Sequence, residues 1–521
     1  MKKSRKFTAI ALAACMVVPM AMAAVPFTAS AASIEITGIG TEQHDFEVYQ
    51  IFKGDLVSGK LSNLVWGSGI TAYNSTSVTA GSKADDAIVA AMSGTDARSI
   101  VSKITLGTAC KTVSSSSPNL TIDGLEDGYY VVKDVTNLDD KDDANSAWIV
   151  QVAGEAHVTV KTAKPTVDKQ IQDEAADKDT NSTDTEGWGE TADHAINEQF
   201  QFKLTAKIPA NDQIKAYDAY KLVFHDSMSA GVTFDSIASV SVGGNPVTAY
   251  TETATGAADK AGLSWELTID DVKPLVPSSI TWGEKEIVVE VVYNAHLNEN
   301  AIVSKSDVTD GDKDHVNNNK VYLEYSNNPD STGTGTSKTG KTPEDYVWAF
   351  TYGVDNTKYK NEALAGNELK DAGFRLYDAA GTTEIGLIFD TAKNAYRPIK
   401  SGEAAAEMKS AADGKFNIIG LDAGTYTLRE TSTPTGYNTC ADVQIVIAAA
   451  HNESASGTAA NLALTGSKNM DNDIVNKEGS TLPSTGGIGT TIFYGLGGVL
   501  VLGSGVALIT CLLYTSPSPR D

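Results

Sequence analysis

Hydrophobic and polar residues alternate over short stretches along most of this chain. HVTVK (157–161), QFQFKLTAKI (199–208), SVSVGG (239–244), EIVVEVVYNA (286–295), VYLEYS (321–326), GFRLYD (373–378), TYTLRE (425–430) and VQIVIA (443–448) all follow the pattern. A period of two sends successive side chains to opposite faces, so each stretch predicts a strand with one face buried. Turns rich in Gly, Asn, Asp and Ser separate these stretches, and helical spacing is confined to brief segments such as KADDAIVAAM (83–92). Many short strands with frequent turn signals predict an all-β chain of sandwiches in series. Two breaks divide it. Pro165 stands at the start of the strand TVDKQI, just after the exit strand and linker HVTVKTAK, and the run SNNPDSTGTGTSKTGKTP (326–343) is polar and low in complexity. Three sandwiches are expected, over residues 32–160, 161–335 and 340–481.

Composition narrows the picture. Of 521 residues, 41% are hydrophobic and 7% aromatic, enough for several modest cores. Lys and Arg number 41 against 66 Asp and Glu, a net charge of −25; residues 32–485 alone carry 36 basic and 65 acidic residues, or −29. A surface this acidic repels phosphate backbones, which excludes nucleic acid as a partner. The segments 173–194 (DEAADKDTNSTDTEGWGETADH) and 139–143 (DDKDD) raise calcium binding, but neither has the D-x-[DN]-x-[DN]-G loop. An acidic surface loop is expected at 173–194, and no metal site. Of four cysteines, Cys15 and Cys511 lie in the terminal segments, while Cys110 and Cys440 are 330 residues apart. That spacing excludes a disulfide scaffold and a cysteine-based metal site.

The two ends decide the compartment. MKKSRK is a basic n-region, FTAIALAACMVVPMAMA an apolar h-region and Ala29-Ser30-Ala31 an A-x-A cleavage site, so residues 1–31 read as a secretory signal and the mature chain begins near Ala32 or Ser33. Leu12-Ala13-Ala14-Cys15, which resembles a lipoprotein box, is the competing reading. At the other end, Leu482-Pro483-Ser484-Thr485-Gly486-Gly487 precedes an apolar run long enough to span a bilayer. This arrangement, over 482–521, resembles the LPxTG sorting signal of Gram-positive surface proteins. The resemblance implies sortase cleavage between Thr485 and Gly486. Such signals end in a Lys/Arg cluster, whereas CLLYTSPSPRD offers only Arg520. Those last residues are expected to be non-native, a translated adaptor joined to a truncated gene end.

One internal repeat carries chemistry. NLTIDGLEDGYYVVKD (119–134) and KFNIIGLDAGTYTLRE (415–430) share I-x-G-L-x-x-G-x-Y-x-[VL]-x-[DE], which a recurrent sandwich hairpin alone would explain. The second copy continues as Tyr426-Thr427-Leu428-Arg429-Glu430-Thr431-Ser432-Thr433-Pro434-Thr435-Gly436-Tyr437. It resembles the E-box, YxLxETxAPxGY, of Gram-positive pilins and related wall-anchored adhesins, with Thr433 in place of Ala. Strand register puts Tyr426, Leu428 and Glu430 on one face, and a carboxyl facing the core is desolvated, which favours its neutral form. The resemblance implies that Glu430 catalyses an intramolecular amide between a first-strand lysine, Lys358, and a last-strand asparagine, Asn476. An ordinary exposed lysine is the other reading of Lys358. By the same resemblance the middle domain offers Lys169, Asp226 (in YKLVFHDSMSAGVTF) and Asn319, with Asn317 and Asn318 open as alternatives and a turn-capping role open for Asp226. No lysine occurs from residue 32 to 52, so the first domain is expected to lack such a bond and to be the least stable.

Backbone pilins of this kind also carry a polymerising lysine in a VxVYPK motif. The register of VTVKTAKPTVDK aligns Lys161 with it and Lys164 second, although Tyr-Pro is absent. Taken together, the resemblance implies tandem Ig-like sandwiches of the collagen-adhesin type and the role of a backbone pilin, with no cofactor. The expected partners are a pilin-type (class C) sortase, identical subunits, minor pilins, peptidoglycan and possible host ligands. The expected location is the cell wall, after transient membrane anchoring. A monomeric wall-anchored adhesin or a minor pilin is the alternative. A secreted enzyme has little support, because no Gly-x-Ser-x-Gly elbow and no metal-ligand spacing among the seven His appear.

Overall fold

The computed structural model describes residues 32–39, 42–57, 60–92, 103–139, 141–145, 147–159, 164–176, 178–211, 214–215, 217–255, 264–311, 316–328, 338–479 and 488–514. The chain forms two compact units: one runs to Asn137 and includes Asn145–Thr162, the other combines Leu138–Ala144 with the chain from Ala163 onward.

The first unit is a sandwich. Its strand Ala32–Thr37 buries alternate residues, so Ile34 and Ile36 enter the core while Ser33 and Glu35 do not. That strand pairs in parallel with Glu155–Thr159 and antiparallel with Asn119–Leu125. A second sheet orders Ala147–Val152, Gly128–Asp134, His44–Val57 and Lys60–Trp66, with Lys111–Ser115 also on His44–Val57. Phe46, Val48, Tyr130 and Val132 fill the space between the sheets. The predicted helix is present as Asp86–Met92.

The second unit contains two hydrophobic cores. In the first of these, a sheet ordered Trp188–Gly189, Thr166–Gln172, Gln199–Ile208, Ile287–Leu297, Val232–Val242 and Asn245–Pro246 faces a sheet ordered Thr191–Asp193, Asp345–Phe350, Asn317–Ser326, Leu222–Met228, Ser264–Ile269 and Thr251–Thr255. Ile287–Leu297 buries every second residue along its length, as its alternation predicts. Phe202, Phe234, Trp265 and Tyr293 interlock at ring separations of 5.0–5.7 Å. The other core lies between a sheet ordered Leu387–Asp390, Ala395–Pro398, Ile418–Leu421, Tyr352–Lys360 and Asp471–Asn476, and one ordered Glu384–Ile385, Gly373–Tyr377, Gly424–Ser432 and Val443–Ile447.

These two sandwiches interleave rather than meet at a linker. Asp345–Phe350 pairs with Asn317–Ser326 although it lies beyond residue 340, and Val308–Gly311 pairs with Ala460–Ala463. The acidic segment 173–194 also departs from its expected place on the surface. Asp173, Asp179, Asp193 and His194 are buried, and Thr191–Asp193 forms a parallel strand on Asp345–Phe350. The segment carries Trp188 and Ala192 into or beside the core, and these draw the acids in with them. At the C-terminal end, helix Ile488–Tyr514 has 27 residues, a length of about 40 Å, and is apolar enough to cross a membrane.

Candidate functional site

In the middle sandwich, the residues singled out from the sequence meet in the core. Lys169 lies on the first strand, Thr166–Gln172, of one sheet. Asp226 and Asn319 lie on neighbouring antiparallel strands of the facing sheet, where Met228 is opposite Asn319. The alternation of each strand turns the three side chains inward, and none is more than 1% exposed. The Lys169 ammonium contacts Asp226 Oδ2 and lies 2.9 Å from the Tyr293 hydroxyl. Tyr293 donates to Asp226 Oδ2 at 3.0 Å and accepts from Asn319 Nδ2 at 2.6 Å. Lys169 Nζ is 5.0 Å from the centre of the Phe202 ring and 5.3 Å from that of Tyr293. Of the neighbouring asparagines, Asn317 bonds instead to Ile302 and to the Ala349 carbonyl, and Asn318 reaches the Val316 carbonyl.

Burial controls the charges. Loss of solvent pushes the Lys169 ammonium below its ordinary pKa and the Asp226 carboxyl above its own, with their mutual attraction opposing both shifts. Asp226 Oδ1 and Asn319 Oδ1 are buried without a donor. Tyr293 is the member that sequence reasoning missed. Its signal was available, since the alternation of EIVVEVVYNA puts Tyr293 on the core face.

In the last sandwich, Tyr352–Lys360 and Asp471–Asn476 run in parallel, with Lys358 opposite Ile474 and Lys360 opposite Asn476. Lys358 and Asn476 are therefore diagonal neighbours on one face. Glu430 reaches them from the facing sheet. Lys358 Nζ donates to Asn476 Oδ1 at 2.6 Å, Asn476 Nδ2 donates to Glu430 Oε1 at 2.7 Å, and Nζ stands 3.8 Å from that same oxygen. Glu430 Oε2 accepts from the Cys440 backbone N–H at 2.8 Å, which fixes the carboxyl. Desolvation holds the Lys358 amine below its usual pKa and pushes the neighbouring Cys440 thiol up to about 11. Lys358 is fully buried, which excludes the reading of it as an exposed lysine.

The repeat folds alike in both places, but not as the hairpin expected: its two strands belong to different sheets, Asn119–Leu125 pairing with Ala32–Thr37 and Gly128–Asp134 with His44–Val57, Ile418–Leu421 pairing with Tyr352–Lys360 and Gly424–Ser432 with Gly373–Tyr377. Tyr130 donates to the Glu126 carbonyl at 2.8 Å, and Tyr426 to the Asp422 carbonyl at 3.0 Å. Gly124 and Gly420 both turn at positive φ, +68° and +79°, where a side chain would be strained. The chemistry differs. Asp134, at the place of Glu430, is buried against His44 at 2.8 Å and accepts from the Thr136 N–H. Among the other residues singled out, Lys164 is described and pairs with Asp142 at 2.9 Å. Lys161, Leu482, Pro483, Thr485, Gly486 and the signal segment lie outside the described residues.

Comparison with known proteins agrees with this architecture. Residues 356–461 match the family model of the SpaA prealbumin-like fold domain, which spans most of the last sandwich. No curated protein matches the chain. The fold is similar to that of the T6 backbone pilin of serotype M6 Streptococcus pyogenes, with a TM-score of 0.50 and 15% identity over 87% of this chain and 100% of that one. The full-length major pilin SpaD from Corynebacterium diphtheriae aligns at 14% identity over 88% of this chain and 99% of that one, with a TM-score of 0.44. The chain thus has the fold of a Gram-positive backbone pilin. Its last sandwich is similar to a SpaA prealbumin-like domain over residues 356–461.

Proposed function

We propose that this chain is the backbone subunit of a covalent pilus polymerised by a sortase, and that its second and third sandwiches each close an internal Lys–Asn amide. The observation that carries this reading is the burial of two Lys–carboxyl–Asn sets, each joining an early strand of its sandwich to a late one. In each set, the neutral lysine amine attacks the Asn side-chain carbonyl carbon. The carboxyl, Asp226 or Glu430, polarises that carbonyl and moves protons, an amide N–C bond forms, the Asn C–N bond breaks and ammonia leaves. The depressed lysine pKa supports the nucleophile. In the middle set, a proton on Asp226 would serve the two buried oxygens that lack donors.

Assembly follows the same chemistry between chains. A pilin-type sortase cleaves after Thr485 and holds the Thr carboxyl as a thioester, and Lys161 of the next subunit attacks it. Lys164 is second choice because its ammonium is already held by Asp142. The apolar helix Ile488–Tyr514 after LPSTG suits transient anchoring before cleavage. On this reading the chain is a substrate of sortase and takes identical subunits, minor pilins and peptidoglycan as partners. A ladder of SDS-resistant high-mass species on the cell surface is the expected result, collapsing to one band when Lys161 and Lys164 are both replaced. A single band from the unaltered chain would leave the monomeric adhesin or minor pilin instead.

A further inference from the structure

The buried acids of segment 173–194 do not belong to either Lys–carboxyl–Asn set. Asp173 follows the strand Thr166–Gln172, Asp193 ends the strand Thr191–Asp193, and both face His451 on the strand Ala450–Glu453. His451 Nε2 lies 3.3 Å from Asp173 Oδ2 and 3.7 Å from Asp193 Oδ2. The three residues are 5%, 1% and 0% exposed. Among the described residues, no Lys or Arg forms an ion pair with either carboxylate; the basic side chain beside both is His451, which carries charge only when protonated. Two carboxylates buried together cost heavily unless a cation or protons neutralise them.

We propose that Asp173, Asp193 and His451 form a divalent transition-metal site of the zinc class, joining the second sandwich to the third. Geometry supports it first. Ligand atoms at about 2.0–2.1 Å from a tetrahedral zinc stand roughly 3.3 Å apart, and the three donor atoms here all fall within 4.8 Å of one another. Asp193 Oδ1 is buried without a hydrogen-bond donor, with the half-buried Asp422 carboxyl as a further neighbour of this carboxylate. On the other side of Asp173, His194 is likewise buried. Its Nε2 is 2.8 Å from the Gln172 carbonyl, to which it donates, leaving Nδ1 as a lone pair without a donor.

The surrounding groups orient the donors as outer-shell partners of a metal do. The Thr191 hydroxyl lies 2.8 Å from His451 Nδ1, holding the ring so that Nε2 faces the carboxylates. Tyr352 donates to Asp193 Oδ2 at 2.5 Å, and the Asp193 N–H donates to Asp173 Oδ2 at 3.2 Å. An imidazole in the set disfavours calcium, which takes oxygen ligands, and favours zinc or a similar ion. Two carboxylates and a neutral imidazole balance a charge of +2. The donors come from positions about 20 and 258 residues apart in sequence. Such an ion would hold together interleaved sandwiches that have no disulfide.

The test is zinc titration of the untagged full chain in detergent after chelation, with His157→Ala to remove the exposed Glu35–Glu155–His157 group. One equivalent of zinc bound, with a thermal midpoint raised by several degrees, is expected. Asp193→Asn should abolish binding, and Thr191→Val should weaken it roughly tenfold or more. A folded chain that binds no zinc, or one whose Asp193→Asn variant binds as tightly, overturns the site. Should Asp193→Asn fail to fold, X-ray absorption of zinc in the chain carrying only His157→Ala decides. A coordination shell containing imidazole and carboxylate supports the site, and one with no imidazole overturns it.

Discussion

Lys358, Glu430 and Asn476, the proposed bond-forming set, owe their arrangement to features found in any sandwich core. One strand register aims the glutamate inward, another sets lysine and asparagine diagonally, and burial shifts the lysine towards its neutral form. Intact mass reads the outcome. The wild-type chain is expected to lack two ammonia molecules, and Glu430→Ala or Asp226→Ala should each restore one; a wild-type mass with no deficit removes both assignments. Tyr293→Phe tests the residue that the sequence reading overlooked. Without the hydroxyl that touches Lys169, Asp226 and Asn319, the middle bond is expected to form more slowly, seen as a mixed population by mass soon after synthesis. The lysines, acids and Asn476 were legible because motif and alternation agree. The inward position of Tyr293 was legible from the same alternation, but its part in the set was not, because an inward tyrosine in a strand looks like core.

Strand pairing decides what each bond would tie. In the last sandwich, Lys358 and Asn476 sit on adjacent parallel strands of one sheet, whereas Lys169 and Asn319 lie on opposite sheets. Each would close a loop of more than a hundred residues, which by chain entropy stabilises on the order of 5 kcal/mol. The first unit has the buried His44–Asp134 contact at 2.8 Å in place of a lysine set. It should therefore unfold at the lowest temperature in a calorimetric scan, and a scan in which it melts last would contradict the assignment. A smaller effect belongs to the turn after Ala395–Pro398, where Arg397 grips Glu403 through two hydrogen bonds. That grip lowers the Glu403 carboxyl to about 2. A folded pKa below the unfolded one adds stability that is present above about pH 4 and lost as pH falls towards 2. Glu403→Gln should flatten the fall of the thermal midpoint across that window. Strands and their inward faces could be read from period two. The interleaving of strands 308–311 and 345–350 could not, because partner choice depends on tertiary packing rather than on local pattern.

At the scale of the whole molecule, the sequence suggested domains in a row, and the structure confines that independence to the first unit. The acidic segment 173–194 misled for a related reason: charge predicts solvent, but Trp188 and Ala192 on the same segment are buried and take Asp193 with them. The positions of the two proposed bonds have a mechanical consequence. If a fibre is pulled between Lys161 of one subunit and Thr485, tension runs from 161 to 169, crosses to 319, follows the chain to 358 and crosses to 476 before leaving. Only 56 of the 324 residue steps between those points lie on that route. At about 3.4 Å each, they can yield roughly 190 Å of extension, against roughly 1,100 Å for an unbridged chain. Single-molecule stretching should find the short limit, with Asp226→Ala and Glu430→Ala each releasing slack. All but the last residues of the first unit precede Lys161, so on this route no tension would pass through it, and it could do without such a bond.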